Sequence, residues 1–429
     1  MNNNIAINYY KILIFLFVIA PFVGYVTNNY LHMDFNRVMQ LLSYIGVFFV
    51  MIFRYDNNPI RFPKYILFLL LFIIYTFFST FILMDREFKM MYLFSNGLIG
   101  ALNFMIIIEN FPVHKKFFEN TVLINKAMVV IAFIVIMLQQ IIDPGLFVLP
   151  DEVKFGNMDA SNLNESRLPS IYSWAGDFSK GFGFIPIFII VVEYLYKRKK
   201  RIFLWIFIGL IYAFLTKSRW IMVNALLVFT ILIVHNENKT RQFLKLLLLV
   251  PIMFIAAYFV MDKVGIETEE IFTNRVKSKT ADSRLVAFEV FNKLYWESPV
   301  LGAGDSKYGM GGEGKQDYKL RIALAGRSSQ IHVGYLALLH RYGLIGGFFF
   351  MGFLYLLFKK IYINAKKTNL WGPFLGILGF ALANLTLVYF SFFEMGLLYA
   401  LMVDKYYIDT FNLSENKTNK TMKTSQIEN

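Results

Sequence analysis

Between Tyr10 and Val403 the chain is built from apolar runs of about 15 to 25 residues separated by polar breaks. That length suits a helix crossing a hydrocarbon core roughly 30 Å thick at about 1.5 Å per residue. No backbone polar group facing lipid can go without a partner, so only helices and closed barrels cross a bilayer, and the short alternating segments of a barrel are absent. Composition agrees. Hydrophobic residues make up 57% and charged residues 17% of the 429, against roughly 25% charged in soluble domains. The expected fold class is an all-α polytopic membrane protein.

Twelve spans are expected. Nine lie near Tyr10 to Val26, Val38 to Phe53, Tyr65 to Met84, Met90 to Ile108, Val122 to Ile142, Gly181 to Tyr196, Ile202 to Leu215, Trp220 to Val234 and Phe243 to Met261. Three more follow, near Val333 to Phe358, Leu370 to Val388 and Phe392 to Val403. The first resembles a signal-peptide core, but no small-residue cleavage site follows it, so it is read as a retained span.

Lysine and arginine mark the cytoplasmic connections. Arg54, Arg61 and Lys64 mark one, Lys115 and Lys116 the next, and "KRKKR" at Lys197 to Arg201 a third. Lys239, Arg241 and Lys245 continue the alternation, as do Lys359, Lys360, Lys366 and Lys367, and the tail after Lys405 is again basic. Every second connection is basic, which places both ends inside. The formal charge of +14 then follows from topology and contact with anionic lipid, and no nucleic-acid partner is needed.

Two outer connections are too long to be turns: 143–180, which is mildly acidic, and 262–331. The expected organisation is therefore spans one to nine over 1–261, a large outer loop at 262–331, spans ten to twelve over 332–404, and a disordered cytoplasmic tail at 405–429. Function is expected to concentrate in the outer loops. The absence of cysteine removes disulfide and thiol chemistry.

In the large loop, "DSRLVAFEVFNKLYWESP" offers Asp282 as a helix cap, then Leu285, Phe288, Phe291 and Tyr295 at helical spacing, with Pro299 as the stop. An amphipathic helix on the outer surface is expected, with Arg284 in its first turn. The following "GAGDSKYGMGGEG" lacks the Lys-Ser/Thr ending of a P-loop and is read as a flexible loop that closes over substrate. In "LTKSRWIM", Lys217 and Arg219 sit between two apolar runs of about 15 residues, each near 23 Å if helical. Arg219 is thereby drawn into the membrane envelope, where a guanidinium either faces protein or a water-filled cavity, or snorkels to the interface.

One histidine of the chain's five, His332, stands where a polar stretch enters an apolar helix. Counting about 20 residues back from Lys359 reaches His340 and Arg341, so His332 is expected roughly 12 Å further out on the same helix. Eight residues turn a helix by about 800°, which puts His332 and His340 on different faces. No His or carboxylate follows His332 at the spacing of a zinc pair, and no metal site is expected. On the residues alone His332 is either a structural residue at a helix mouth or a functional one. Asn103, Gln139, Gln140, Asn224, Asn384 and Glu394 lie in or beside spans and are expected to make interhelical hydrogen bonds of about 1 kcal/mol or less. Glu394, near the outer end of the last span, is positioned to orient Arg219, to bind an acceptor or to face headgroups. Arg167 and Asp177 in the first outer loop are weaker candidates.

These stretches carry a resemblance. "TKSRW", "DSRLVAFEVFNKLYWESPVLGAGDSKYG" and "QIHVGYLALLHRYGLIGGF", in that order, with a large outer loop between the ninth and tenth spans, resemble the O-antigen ligase and polysaccharide repeat-unit polymerase superfamily of bacterial envelope biogenesis. The resemblance covers most of Gly181 to Phe358, and the N-terminal half by topology only. Two departures stand out. Members often have His followed by Asn where this chain has His332 and Val333, and "LPSIYSWAGDFSKGF" matches the segment before the sixth span only faintly.

The resemblance implies a metal-independent, cofactor-free glycosyltransferase of the inner membrane that transfers a glycan from undecaprenyl diphosphate to a sugar hydroxyl at the periplasmic face. It puts Arg219 and Arg284 on the diphosphate and His332 at the acceptor hydroxyl, with Lys217, Arg167 and Glu394 as further substrate-binding candidates. The chemistry is consistent. Guanidinium forks stabilise charge growing on a leaving diphosphate, and an imidazole of ordinary pKa near 6.5 accepts a proton at neutral pH. The expected partners are the lipid-linked oligosaccharide, membrane lipid, and other polysaccharide assembly proteins such as a chain-length regulator. Polymerase is preferred because polymerases are the more varied group of the family. A ligase differs only in acceptor, lipid A-core in place of a second lipid-linked oligosaccharide. A flippase is the alternative from another class, but transporters show repeated halves and midplane charge, whereas here the polar weight lies on one face.

Overall fold

The computed structural model describes residues 5–13, 15–16, 35–52, 59–83, 88, 93, 97–111, 113, 115–143, 146, 204–205, 208, 280–304, 331, 333–385, 398 and 400–413. Among them every regular element is helical. We label α1 Phe35–Ile52, α2 Lys64–Phe77, α3 Gly97–Asn110, α4 Lys115–Ile141, α5 Thr280–Leu294, α6 Gly334–Thr368 and α7 Gly372–Ala383. A π-helix, Phe78–Leu83, extends α2, and a single 3₁₀ turn, Tyr295–Glu297, follows α5.

Three described helices are long and apolar enough to cross a membrane: Lys64–Leu83, Lys115–Ile141 and Gly334–Thr368. They correspond to the third, fifth and tenth expected spans. Residues 35–52 and 97–110 are helical where the second and fourth were expected. α4 begins seven residues before the expected Val122 and takes in Lys115 and Lys116. α7 is shorter than expected: Pro373 fixes its first turn and it closes at Asn384. The spans expected at Gly181 to Tyr196, Trp220 to Val234 and Phe243 to Met261 lie outside the described residues, as does nearly all of the one at Ile202 to Leu215.

α6 packs chiefly along α2, and the two run antiparallel. Tyr65, at the start of α2, meets Phe353 at a ring-centroid distance of 6.3 Å. Phe72 meets Phe350 at 5.2 Å and Tyr342 at 5.5 Å, the latter edge to face. Lipid chains are as apolar as these side chains, so close packing has to hold the pair, and small residues permit it. A Cβ on Gly352 would stand 2.4 Å from the Phe68 ring. Asn103 of α3 donates to Ser43 Oγ of α1 at 3.0 Å, an interhelical bond of the expected kind. Gln139 instead donates at 2.8 Å to the carbonyl of Leu146, just beyond its own helix.

The end of α6 that carries the basic residues holds a buried charged cluster. Lys360 Nζ pairs with Glu109 Oε1 of α3, to which the Tyr65 hydroxyl also donates at 2.8 Å. The ammonium stands 5.1 Å from the Tyr65 ring centroid. One turn on, Asn364 donates to the buried Asp404 at 2.8 Å. Glu109 is 7% exposed and Lys360 27%. Removing one partner of a fully buried pair costs roughly 3–5 kcal/mol, less when the survivor reaches solvent. Glu109→Gln is therefore expected to lower the unfolding free energy of the purified protein by about 2 kcal/mol, and Glu109→Gln/Lys360→Met to recover most of the loss. Identical unfolding curves for Glu109→Gln and the parent protein would remove this role.

Candidate functional site

Of the residues singled out in the sequence, Arg167, Lys217, Arg219, His332 and Glu394 lie outside the described residues, and Arg284 is described by its backbone alone. The structure does fix the framework on either side of two of them. Arg284 lies in the second turn of α5, because the helix begins at Thr280. Asp282 is accordingly not the cap but a residue of the first turn. His332 stands between Ile331 and Val333, both buried.

Those two neighbours pack against the helix that carries Arg284. Ala287, Val290 and Leu294 of α5 form one buried cluster with Ile331, Val333 and Ala337. The spacing of three and four residues puts the three α5 side chains on a single face. The apolar positions read from the sequence, Leu285, Phe288, Phe291 and Tyr295, are a different set from these three. Phe288 is 54% exposed, and Phe291 stacks on Tyr295 at 4.6 Å along the flank. Ala287, 0% exposed, decides the outcome, because its single methyl lets the backbone of α5 approach the start of α6.

α6 begins at Gly334, with Val333 extended (φ −103°, ψ 117°) as its N-cap. The helical count that separates His332 from His340 by face therefore starts outside the helix. Val333 offers no side-chain cap; it accepts the Ala337 N–H through its carbonyl at 2.9 Å and buries its side chain in the α5 cluster. The apolar residue that follows His332 is thus used for packing. Tyr335 fixes the same end to α7, its N–H donating to Asn384 O at 3.3 Å and its hydroxyl to Ala381 O at 2.8 Å.

The feature that sequence reasoning missed lies about two turns further along. At Gly343 the backbone leaves helical geometry, at φ 60° and ψ −165°, a conformation open essentially to glycine alone. In an unbroken helix the N–H groups of Leu344 and Ile345 would donate to the carbonyls of His340 and Arg341. Here the Leu344 N–H donates to Pro299 O at 2.9 Å and that of Ile345 to Val300 O at 3.3 Å. The released carbonyls are taken up in turn, His340 O accepting from Ala303 N at 2.8 Å and Arg341 O from Gly304 N at 2.8 Å. The strap Ser298–Gly304 thereby replaces both lost helical bonds on both sides.

α2 braces the strap from behind, since the Leu301 carbonyl accepts the Tyr75 hydroxyl at 2.8 Å and the Ser79 hydroxyl at 3.4 Å. Gly302, at φ +82°, is required as much as Gly343. A Cβ on Gly302 would stand 2.4 Å from Arg341 O, and one on Gly343 2.2 Å from Val300 O. The first three residues of the Gly-rich stretch are therefore fixed to α6, which corrects the reading of that stretch as a free loop; residues 305–330 lie outside the described residues. Pro299 does end the helical path, as expected, and it contributes a carbonyl besides. The signal open to a sequence reader was the pair of glycines in "LGAG" and "RYGLIGG".

Residues 184–351 match the family model described as O-Antigen ligase. The match coincides with the stretch Gly181 to Phe358 on which the resemblance rests. It contains Lys217, Arg219, Arg284 and His332, together with the strap and the Gly343 break, and it leaves Arg167 and Glu394 outside. No curated protein matches the chain.

Proposed function

We propose, on the premise of an O-antigen ligase domain at 184–351, that this membrane protein polymerises lipid-linked polysaccharide repeat units at the periplasmic face of the inner membrane. The acceptor is a sugar hydroxyl on a second lipid-linked oligosaccharide. Its oxygen attacks the anomeric carbon of the donor glycan as the bond from that carbon to the diphosphate oxygen breaks. The hydroxyl proton passes to the imidazole of His332, and undecaprenyl diphosphate departs with the bonding pair. Arg219 and Arg284 receive the charge that develops on the diphosphate, while Lys217, Arg167 and Glu394 contribute to substrate binding. No metal or cofactor enters the scheme.

The observation that carries this reading is the buried cluster joining Ala287 and Val290 to Ile331 and Val333. It joins the helix that carries Arg284 to Ile331 and Val333, the residues on either side of His332 in the chain, which supports a charge-stabilising residue and a base acting on the same bond.

A ligase uses the same donor chemistry with lipid A-core as acceptor, and a flippase moves the donor without breaking a bond. Gene deletion with analysis of the accumulated glycan separates the three. Loss of a polymerase leaves single repeats on the core, loss of a ligase leaves polymer on the lipid carrier, and loss of a flippase leaves unpolymerised material inside. Polymer on the carrier, or material inside, would overturn the polymerase reading.

A further inference from the structure

The geometry points to Gly343 and the strap Ser298–Gly304 as positioning residues for the proposed transfer, setting the outer segment of α6, and with it the His332 junction, relative to the Arg284 helix. The inference rests on the function proposed above. α5 passes through the 3₁₀ turn Tyr295–Glu297 directly into the strap, so its distal end is bound to the break by Ala303, Gly304, Pro299 and Val300. Its middle is bound to the start of α6 by Ala287 and Val290. The Gly334–Tyr342 segment is consequently gripped at both ends by one continuous piece of chain, 287–304, which also carries Arg284 one turn upstream.

The strap grips α6 through its backbone. Four backbone bonds register the two pieces, and backbone bonds fix distance and direction more tightly than the contact of apolar side chains alone. They also form only if both Gly302 and Gly343 lack a Cβ. Tyr75 and Ser79 hold Leu301 from α2, which ties the assembly to the long antiparallel pair in the membrane. A displacement of about 1 Å at a reacting group costs on the order of 10²-fold in rate, so this registration has a kinetic consequence distinct from stability.

The test uses the full-length protein in nanodiscs. The native absence of cysteine allows labels at Glu289→Cys on α5 and Phe348→Cys beyond the break, both exposed in the structure. The spin–spin distance distribution is expected to be single and narrow, to broaden or shift in Gly343→Ala, and to remain narrow in Gly347→Ala, where a new Cβ meets the flexible ends of Leu339 and, further off, Leu338. Turnover per folded molecule with a lipid-linked donor is expected to fall about 10- to 100-fold in kcat for Gly343→Ala, with donor KM within about twofold. Tyr75→Phe, which removes one brace and adds no volume, guards against simple misfolding and is expected to show the same kcat-selective loss at about 3-fold. An unchanged distance distribution in Gly343→Ala overturns the inference. So does a broadened distribution with normal kcat per folded molecule, since the strap would then serve stability alone. The distance measurement makes no reference to glycan transfer. Absence of transfer in the parent protein would remove the proposed reaction, while the distances would still decide the mechanical coupling.

Discussion

His332→Ala is expected to reach the membrane in normal amount yet lose glycan transfer by about 10² to 10⁴ fold per folded molecule, the range that a positioned general base contributes. The base must be neutral to accept a proton. Parent turnover is therefore expected to fall as pH drops and the imidazole takes up a proton, and the residual turnover of His332→Ala to lack that acid limb. His340→Ala is the matched control. The His340 side chain is buried, but its tie to the strap is made by its carbonyl, which the substitution leaves in place. It is expected to lose thermal stability and retain turnover per folded molecule. Near-normal turnover in His332→Ala would assign the proton to water, the diphosphate or another residue such as Glu394.

Arg284→Lys keeps the charge and is nevertheless expected to lose about 2 kcal/mol of transition-state stabilisation, roughly 30-fold in kcat/KM, because an ammonium cannot present two coplanar donors to the diphosphate. The position of Arg284 within α5 makes the comparison clean. α5 is anchored through Ala287, Val290 and Leu294, none of which the substitution touches, so the fold is expected to survive. Arg341→Lys, whose contact with the strap is likewise made by a carbonyl, is expected to keep turnover. Equal kcat/KM for Arg284→Lys and the parent protein, at matched abundance, would take Arg284 off the diphosphate.

The helical nature of the chain was legible because lipid removes every other solution for a backbone inside it, and the apolar runs announce this directly. The Arg284 helix and its end at Pro299 were legible from spacing. Its buried face was not. The sequence pattern weights large side chains, and Phe288 outranks Ala287 on any hydrophobic scale, yet the close approach of α5 to α6 favours the smaller residue. The Gly343 break was hidden for a different reason. Glycine is frequent in membrane helices, and the bonds that replace the helical ones join backbone to backbone, leaving no side-chain signature at Ser298–Gly304 beyond the glycines themselves. Val333 was flagged as a departure, and only the cluster around it shows what the apolar side chain is used for.

The stitched break also constrains biogenesis. Synthesis runs from the N-terminus, so the strap is made some forty residues before Gly343 leaves the ribosome. When α6 enters the translocon, its four displaced backbone groups have no partners within the helix, and such groups cost several kcal/mol each in lipid. On the proposed topology the partner segment is by then already waiting on the far side of the bilayer. Insertion of α6 and closure of the outer loop are thus a single coupled event, and a nascent chain stalled before Gly343 carries a strap with nothing to bind.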